Sequence, residues 1–316
     1  MHLGTTSMEV DALGIGTWSW GDKGDWGFGT SYTEGDLREA FRYITSTGTK
    51  LFDTAEKYAE GDSERYLGKF IRESGTRVVV ATKFSPTRWE IRRRDLFHAL
   101  RNSCRRLGVQ QIDLYQIHWP TRFGPVEWRM AAMADAIDEG SVRAAGVCNY
   151  SREAMLRAQE ALAGRGHSLT SIQVEFSLTC RAPERNGILD ACRDSSVTLI
   201  AYSPLAMGML TGKYSPQHPP SGLRGVKYSA AFLTRLQTLL GVTREIGQQH
   251  GGKTVAQVAL NWVQCKGALP IPGAKNRKQA EENLGALGWS LTDEEIQVLE
   301  RASDRLDASP SLPLAG

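Results

Sequence analysis

At 316 residues, with 41% hydrophobic and 23% charged side chains, the chain has the mix of a folded globular protein and not of a disordered one. Its longest apolar runs, such as Val78 to Ala81 and Val197 to Tyr202, fall far short of the ~20 residues a bilayer crossing needs, which argues against a membrane partner. A formal charge of +3, dispersed along the chain, is too small to argue for nucleic acid; the one basic run, Arg92 to Arg94, opens a helical pattern and reads as a solvated face.

In chain order, the first dozen residues set turn-forming Gly4 to Ser7 between short apolar pieces and predict a β-hairpin. Short runs rich in Val, Ile and aromatics then alternate with longer segments of helical period. The strands expected are Leu13 to Thr17, Lys50 to Asp53, Val78 to Thr82, Ile112 to His118, Val142 to Val147, Ile172 to Glu175, Val197 to Tyr202 and Ala268 to Pro270. Between them the period predicts helices over Glu34 to Thr47, Ser63 to Ser74, Arg92 to Leu107, Val126 to Glu139, Arg152 to Ala163 and Glu184 to Asp194. A long Gly/Pro-rich insertion from Pro204 leads into two further helices, Ala231 to His250 and Thr254 to Cys265, and Leu291 to Ala302 reads as a last helix on the outside.

This β/α alternation predicts an α/β fold, a (β/α)8 TIM barrel with an N-terminal β-hairpin and extra C-terminal helices, in a single domain over residues 1–316. The tail from Ala308 is expected to lack fixed structure. A doubly wound dinucleotide-binding sheet fits less well. After Gly14 and Gly16 the third glycine of that fingerprint is replaced by Ser19, and an aromatic loop follows where a helix is required.

Five cysteines, Cys104, Cys148, Cys180, Cys192 and Cys265, are odd in number and widely spaced, the usage of reduced thiols in a reducing compartment. Met1 is followed by strand-like sequence without a basic and then apolar leader, so a cytoplasmic setting is expected, although a removed organelle transit peptide would leave no trace. His118 has no second His or carboxylate nearby at metal spacing, so no metal is expected and a metal-dependent hydrolase or lyase barrel lacks its ligands.

Asp53, Lys83 and His118 stand at the predicted carboxyl ends of the second, third and fourth strands, with Tyr58 five positions past Asp53. In a barrel these ends meet at one mouth. Singly, each has an ordinary structural reading as a cap, a solvated cation, a satisfied ring or a packing ring. Together they make an acid. The Lys83 ammonium would draw the Tyr58 phenol down from ~10 toward working pH, Asp53 would hold Lys83, and neutral His118 would orient a carbonyl.

The phrases Leu51-Phe-Asp-Thr-Ala-Glu-Lys-Tyr58, Val80-Ala-Thr-Lys83 and Tyr115-Gln-Ile-His-Trp-Pro120 resemble the aldo-keto reductases, and the resemblance runs from about Leu3 to Leu306. It implies the reduction of an aldehyde or ketone to an alcohol by hydride from NADPH, with Tyr58 as general acid. Gly146-Val-Cys-Asn-Tyr150 and Ile172-Gln-Val-Glu175 resemble the segments that hold the nicotinamide carboxamide and point to Asn149 and Gln173; Cys148 stands where relatives commonly carry Ser. Ala201-Tyr-Ser-Pro-Leu205 resembles the segment that stacks on the nicotinamide, pointing to Tyr202, with Ser203, Leu205, Gly208 and Leu210 as pyrophosphate contacts.

Pro270-Ile-Pro-Gly-Ala-Lys-Asn-Arg277 and the positions after it resemble the adenosine 2′-phosphate clamp and imply roles for Gly273, Lys275, Arg277, Gln279 and Asn283. Gly273-Ala274 and Gln279 replace the Lys-Ser and Arg of many relatives, so the charge must come from Lys275 and Arg277. A helix start would favour a phosphate there. Trp18, Trp20, Trp119 and Trp128 are expected to line an apolar substrate mouth, with Trp26 and Phe28 on a loop that closes over it. The partner implied is a small carbonyl compound, bound by a monomer. The same resemblance leaves open an NADPH-binding regulatory subunit with little turnover.

Overall fold

In the computed structural model, which describes residues 1–86, 93–121 and 124–307, eight strands form one parallel sheet in chain order. They are β1 (Ile15–Gly16), β2 (Leu51–Asp53), β3 (Val79–Phe84), β4 (Ile112–Ile117), β5 (Val142–Cys148), β6 (Leu169–Glu175), β7 (Thr198–Tyr202) and β8 (Leu269–Pro270). The Gly14 N–H donates to the Pro270 carbonyl and the Gly16 N–H to the Pro272 carbonyl, both at 3.0 Å, so the last strand meets the first and the sheet curls into a barrel. Only glycine fits at residue 16, because a Cβ there would lie 2.9 Å from the Ile271 carbonyl oxygen. The (β/α)8 barrel is the expected one.

Helices cover the outside: α1 (Glu34–Ser46), α2 (Asp62–Ser74), α3 (Arg93–Leu107), α4 (Val126–Asp138), α5 (Arg152–Ala163), α6 (Ala182–Arg185), α7 (Ile188–Asp194), α8 (Gly222–Lys227), α9 (Ala230–Gln249), α10 (Val255–Cys265), α11 (Arg277–Leu284) and α12 (Asp293–Asp307). Their starts are written in the sequence. Thr33 with Asp36 and Thr254 with Gln257 form reciprocal capping boxes on α1 and α10, while Ser151, Ser229 and Asn276 cap α5, α9 and α11. None of the described helices is long and apolar enough to cross a membrane.

Two expectations change. The single helix expected over Glu184 to Asp194 is two, because Gly187 takes a left-handed φ of 76° and ends one hydrogen-bonded run before the next begins. The Gly/Pro-rich insertion from Pro204, expected to reach Ala231 as loop, carries α8, whereas the helix start expected near Lys275 and Arg277 is present as α11. The tail from Ala308 lies outside the described residues, as does Arg92 at the expected start of the third helix.

The hairpin forms at the barrel's amino-terminal end, with His2 bridged to Glu9 and the Leu3 N–H donating to Met8. Leu3, Met8 and Val10 are buried against Leu51, Val79, Ala81, Leu114, Ile200 and Leu269, the lower layer of inward-facing side chains. Burying each such side chain stabilises by ~1.5–3 kcal/mol. The barrel is therefore apolar below. One step along the strands, with the two-residue period of inward-facing positions, the layer becomes polar: Asp53, Lys83, Gln116, Cys148 and Gln173 follow Leu51, Ala81 and Leu114 toward the carboxyl ends.

Candidate active site

Lys83 is wholly buried and Asp53 is 2% exposed. The three ammonium hydrogens of Lys83 have three acceptors: Asp53 Oδ1, the Thr54 carbonyl at 2.8 Å and Tyr58 Oη at 3.2 Å. Burial alone would drive Lys83 toward neutrality, but the Asp53 carboxylate, with Tyr58 and Cys148 adding to it, holds the ammonium above the ordinary lysine value. The second carboxylate oxygen, Asp53 Oδ2, accepts from Gln173 Nε2 at 2.8 Å and Gln116 Nε2 at 3.2 Å.

Tyr58 sits on a forced turn. Ala59 and Glu60 take φ of 48° and 55° and Gly61 follows at 88°, so three consecutive left-handed residues swing the chain from the end of β2 into α2. Each such non-glycine residue costs ~1–3 kcal/mol and persists only where its surroundings hold it. Here Glu64, wholly buried on α2, accepts from Thr82 Oγ1 at 2.6 Å and pairs with Arg106 at 2.5 Å, fixing the helix start to β3 beside Lys83. Ser63 adds a second anchor through Thr17 and Thr54, at 2.7 and 2.8 Å.

The expected lowering of the Tyr58 phenol is present only as one contribution. Burial pushes the phenol above its ordinary value, Lys83 pulls it down and Asp53 pushes it up again, so the net direction is upward. His118 behaves as expected. Burial, with Lys83 adding to it, pushes the imidazole down to about 3, so the ring is neutral at working pH. Its Nδ1 lies 2.8 Å from Ser85 Oγ; with the hydroxyl donating, the ring hydrogen is on Nε2, the atom left for a ligand. The Tyr58 and His118 rings meet edge-on with centroids 5.7 Å apart.

Around this tetrad stand most of the residues singled out from the sequence. Asn149, at a φ of 60°, donates from Nδ2 to the His118 carbonyl at 3.1 Å and accepts from the Tyr202 hydroxyl at 3.0 Å. Cys148 is 1% exposed and its thiol points at Gln116 Oε1, 3.7 Å away. After β7 the backbone turns through Ser203, Ala206, Met207 and Gly208, all at positive φ, and Leu205 accepts from the Gly208 and Leu210 N–H groups. Asn283 holds the Gly273 carbonyl at 3.1 Å, and Gln279 accepts from the Lys275 N–H at 3.0 Å.

Three placements differ from expectation. Trp20 is wholly buried, donates its indole N–H to the Ala274 carbonyl at 2.9 Å and packs on Phe52 and Phe70. It is a core residue and does not line the mouth; Trp18, Trp119 and Trp128 are exposed. Of these, Trp18 faces Tyr58 and Trp119 stacks on His118, while Trp128 packs by Gly124 on α4. Arg277 is turned away from Lys275 toward α1, paired with Glu281 at 2.7 Å and Glu39 at 3.7 Å and lying over Tyr43.

The third difference is an addition. Lys275 and Arg224 lie 5.4 and 5.2 Å from the Trp26 ring, and burial, Lys213 and Arg224 together push Lys275 below its ordinary value. Lys213 and Arg224 were not foreseen. Their only local signal is a cation shortly after a Gly-rich turn, which solvated surfaces also carry.

A parallel eight-stranded barrel with a lysine-supported tyrosine and a neutral histidine at its mouth defines a class of barrel oxidoreductase. The sequence profile described as "Aldo/keto reductase family" matches residues 12–304, and the chain belongs to that family. It is 40% identical over 309 residues to "Pyridoxal reductase, chloroplastic" of Arabidopsis thaliana, covering 94% of this chain and 84% of the relative. It is 30% identical to "Aldo-keto reductase yakc [NADP(+)]" of Schizosaccharomyces pombe, with 84% and 82% covered. The structure of an aldo/keto reductase from Klebsiella pneumoniae in complex with NADP and acetate is similar at a TM-score of 0.74 and 29% identity, covering 97% of this chain and 96% of that one.

Proposed function

We propose that this oxidoreductase reduces an aldehyde or ketone to an alcohol with NADPH, Tyr58 giving the proton. The observation that carries the reading is the contact of Lys83 Nζ with Tyr58 Oη at 3.2 Å, made by an ammonium with no access to water.

The residues present suit a dinucleotide. Backbone strain is gathered at Ser203 to Gly208, a feature of ligand sites, and Lys213, Arg224 and Lys275 bring three cations to one place without an ion pair to any of them among the described residues. Lys275 would hold the 2′-phosphate and Asn149 and Gln173 the carboxamide, with Tyr202 under the ring. A reduced nicotinamide bound there supplies the hydride.

The chain's own part is the proton and the charge. A phenol held above its ordinary value keeps its proton at neutral pH and releases it only to a much stronger base, such as an alkoxide forming within hydrogen-bond reach. Lys83 stabilises the phenolate left behind, and the His118 Nε2–H is positioned to donate to the same oxygen. Trp18 and Trp119, flat faces on either side of the Tyr58 and His118 pair, favour a flat substrate. Given the name of the Arabidopsis relative, an aromatic aldehyde of the pyridoxal kind is the first to assay.

Tyr58→Phe is expected to lower kcat by ~10² to 10⁴ while leaving NADPH affinity unchanged. A phenylalanine variant with wild-type kcat refutes the assignment. Tight NADPH binding with negligible turnover by the wild-type chain would favour the regulatory reading instead.

A further inference from the structure

We infer that Gln116 is a positioning residue for the Asp53–Lys83–Tyr58 chain, holding the outer carboxylate oxygen of Asp53 so that the other faces Lys83. The inference rests on the reading of Tyr58 as proton donor.

Gln116 is wholly buried near the middle of the barrel, and its amide is the point where four strands meet. Nε2 donates to Asp53 Oδ2 on β2 at 3.2 Å. Oε1 accepts from the Cys148 thiol on β5 at 3.7 Å, from Ser171 Oγ on β6 at 3.5 Å and from Gln173 Nε2 at 3.4 Å. The Gln173 donor on one side and the acceptor-only Asp53 oxygen on the other fix which way the amide lies. A flipped amide would set its oxygen against the Asp53 carboxylate and its N–H groups against the Gln173 amide nitrogen, so the orientation seen is the favoured one.

Space for this arrangement is reserved in the sequence. A Cβ at Gly146 on β5 would stand 2.9 Å from Gln116 Cγ and 2.4 Å from Ser171 Oγ, so any larger residue there displaces the pair. Gln173 also donates to Asp53, but it is the residue assigned above to the carboxamide, which competes for its amide. Gln116 Nε2 has no partner other than Asp53 among the described residues, and it supplies the carboxylate whichever partner Gln173 takes.

The chemical consequence follows from charge. A hydrogen bond to Oδ2 draws negative charge away from Lys83 and Tyr58. Without it the carboxylate presents more charge to both, the phenolate becomes less favourable, and Tyr58 keeps its proton to higher pH. The basic limb of the pH–kcat profile, where the donor is lost, moves up.

The test uses Gln116→Met, similar in length without a donor, and Gln116→Asn, which keeps an amide too short to reach Asp53. In each folded variant the basic limb for carbonyl reduction is expected to rise by about half a pH unit or more, and kcat to fall about tenfold. Substrate KM and NADPH affinity should stay within about twofold of wild type. A side chain that merely fills space would lower stability or kcat without moving the limb, so an unmoved limb in either folded variant overturns the role. If Tyr58→Phe keeps wild-type kcat, the acid assignment has failed; if Tyr58→Phe is inactive and the Gln116 limb is unmoved, the positioning role alone has failed.

Discussion

Lys83→Met leaves a carboxylate inside the barrel without its cation. Asp53 is 2% exposed, and the substitution strips it of the ammonium while keeping the two amide donors on Oδ2. Removing one partner of a buried ion pair costs ~3–5 kcal/mol, and the retained donors place this case toward ~3. At ~2.1 cal/mol/K of unfolding entropy per residue, each kcal/mol moves the Tm of a chain of 316 residues by ~1.5 °C, so a fall of roughly 5 °C is expected in differential scanning calorimetry at pH 7. Combining Lys83→Met with Asp53→Leu removes both charges and should recover most of the loss without restoring turnover.

The pH dependence has a definite sign. Because Lys83 is held above its ordinary value, its contribution to stability is complete below the unfolded lysine value of ~10.4 and is lost only as pH rises through the folded one. The Tm gap between wild type and Lys83→Met should therefore be constant from pH 6 to 9 as far as Lys83 sets it. A single variant within about 2 °C of wild type, or a double variant no more stable than the single, refutes the account of the pair.

Two further outcomes follow from placements that differ from expectation. Lys275→Ala should weaken NADPH binding about tenfold and NADH binding much less, while Arg277→Ala, whose guanidinium already pairs with Glu281 and Glu39, should do little; fluorescence titration of both cofactors decides, and the reverse order would return the phosphate to Arg277. Trp20→Ala should cost ~3–5 kcal/mol of stability with substrate KM unchanged, and a raised KM at unchanged Tm would put Trp20 back at the mouth.

Local pattern carried the architecture. Each strand is a short apolar run, each helix has its period and often its cap, and the motifs around Asp53, Lys83 and His118 lie within a few residues of strand ends, where barrel geometry alone brings them together. What period cannot encode is contact across the barrel. Gln116 meets Asp53 across 63 positions and Gln173 meets it across 120, and neither partner is marked by its neighbours in sequence. Trp18 and Trp20 share a parity, yet the chain turns after Thr17, where the Trp20 N–H returns to the Thr17 carbonyl, and only one ring stays at the mouth. Lys275 and Arg277 are separated by the start of α11, which sends one side chain toward Trp26 and the other toward α1.

The hairpin beneath the barrel has a consequence for proton traffic. Leu3, Met8 and Val10 close the lower end with an apolar layer, which disfavours a file of water running to Lys83 or Asp53 from below. If Tyr58 is the donor, as proposed, the proton it gives up is replaced from the mouth, the side on which a substrate would enter and its product depart. On that reading, recharging the donor waits for the alcohol to leave, and a slow-releasing product would delay the next turnover by withholding a proton as well as by occupying the site.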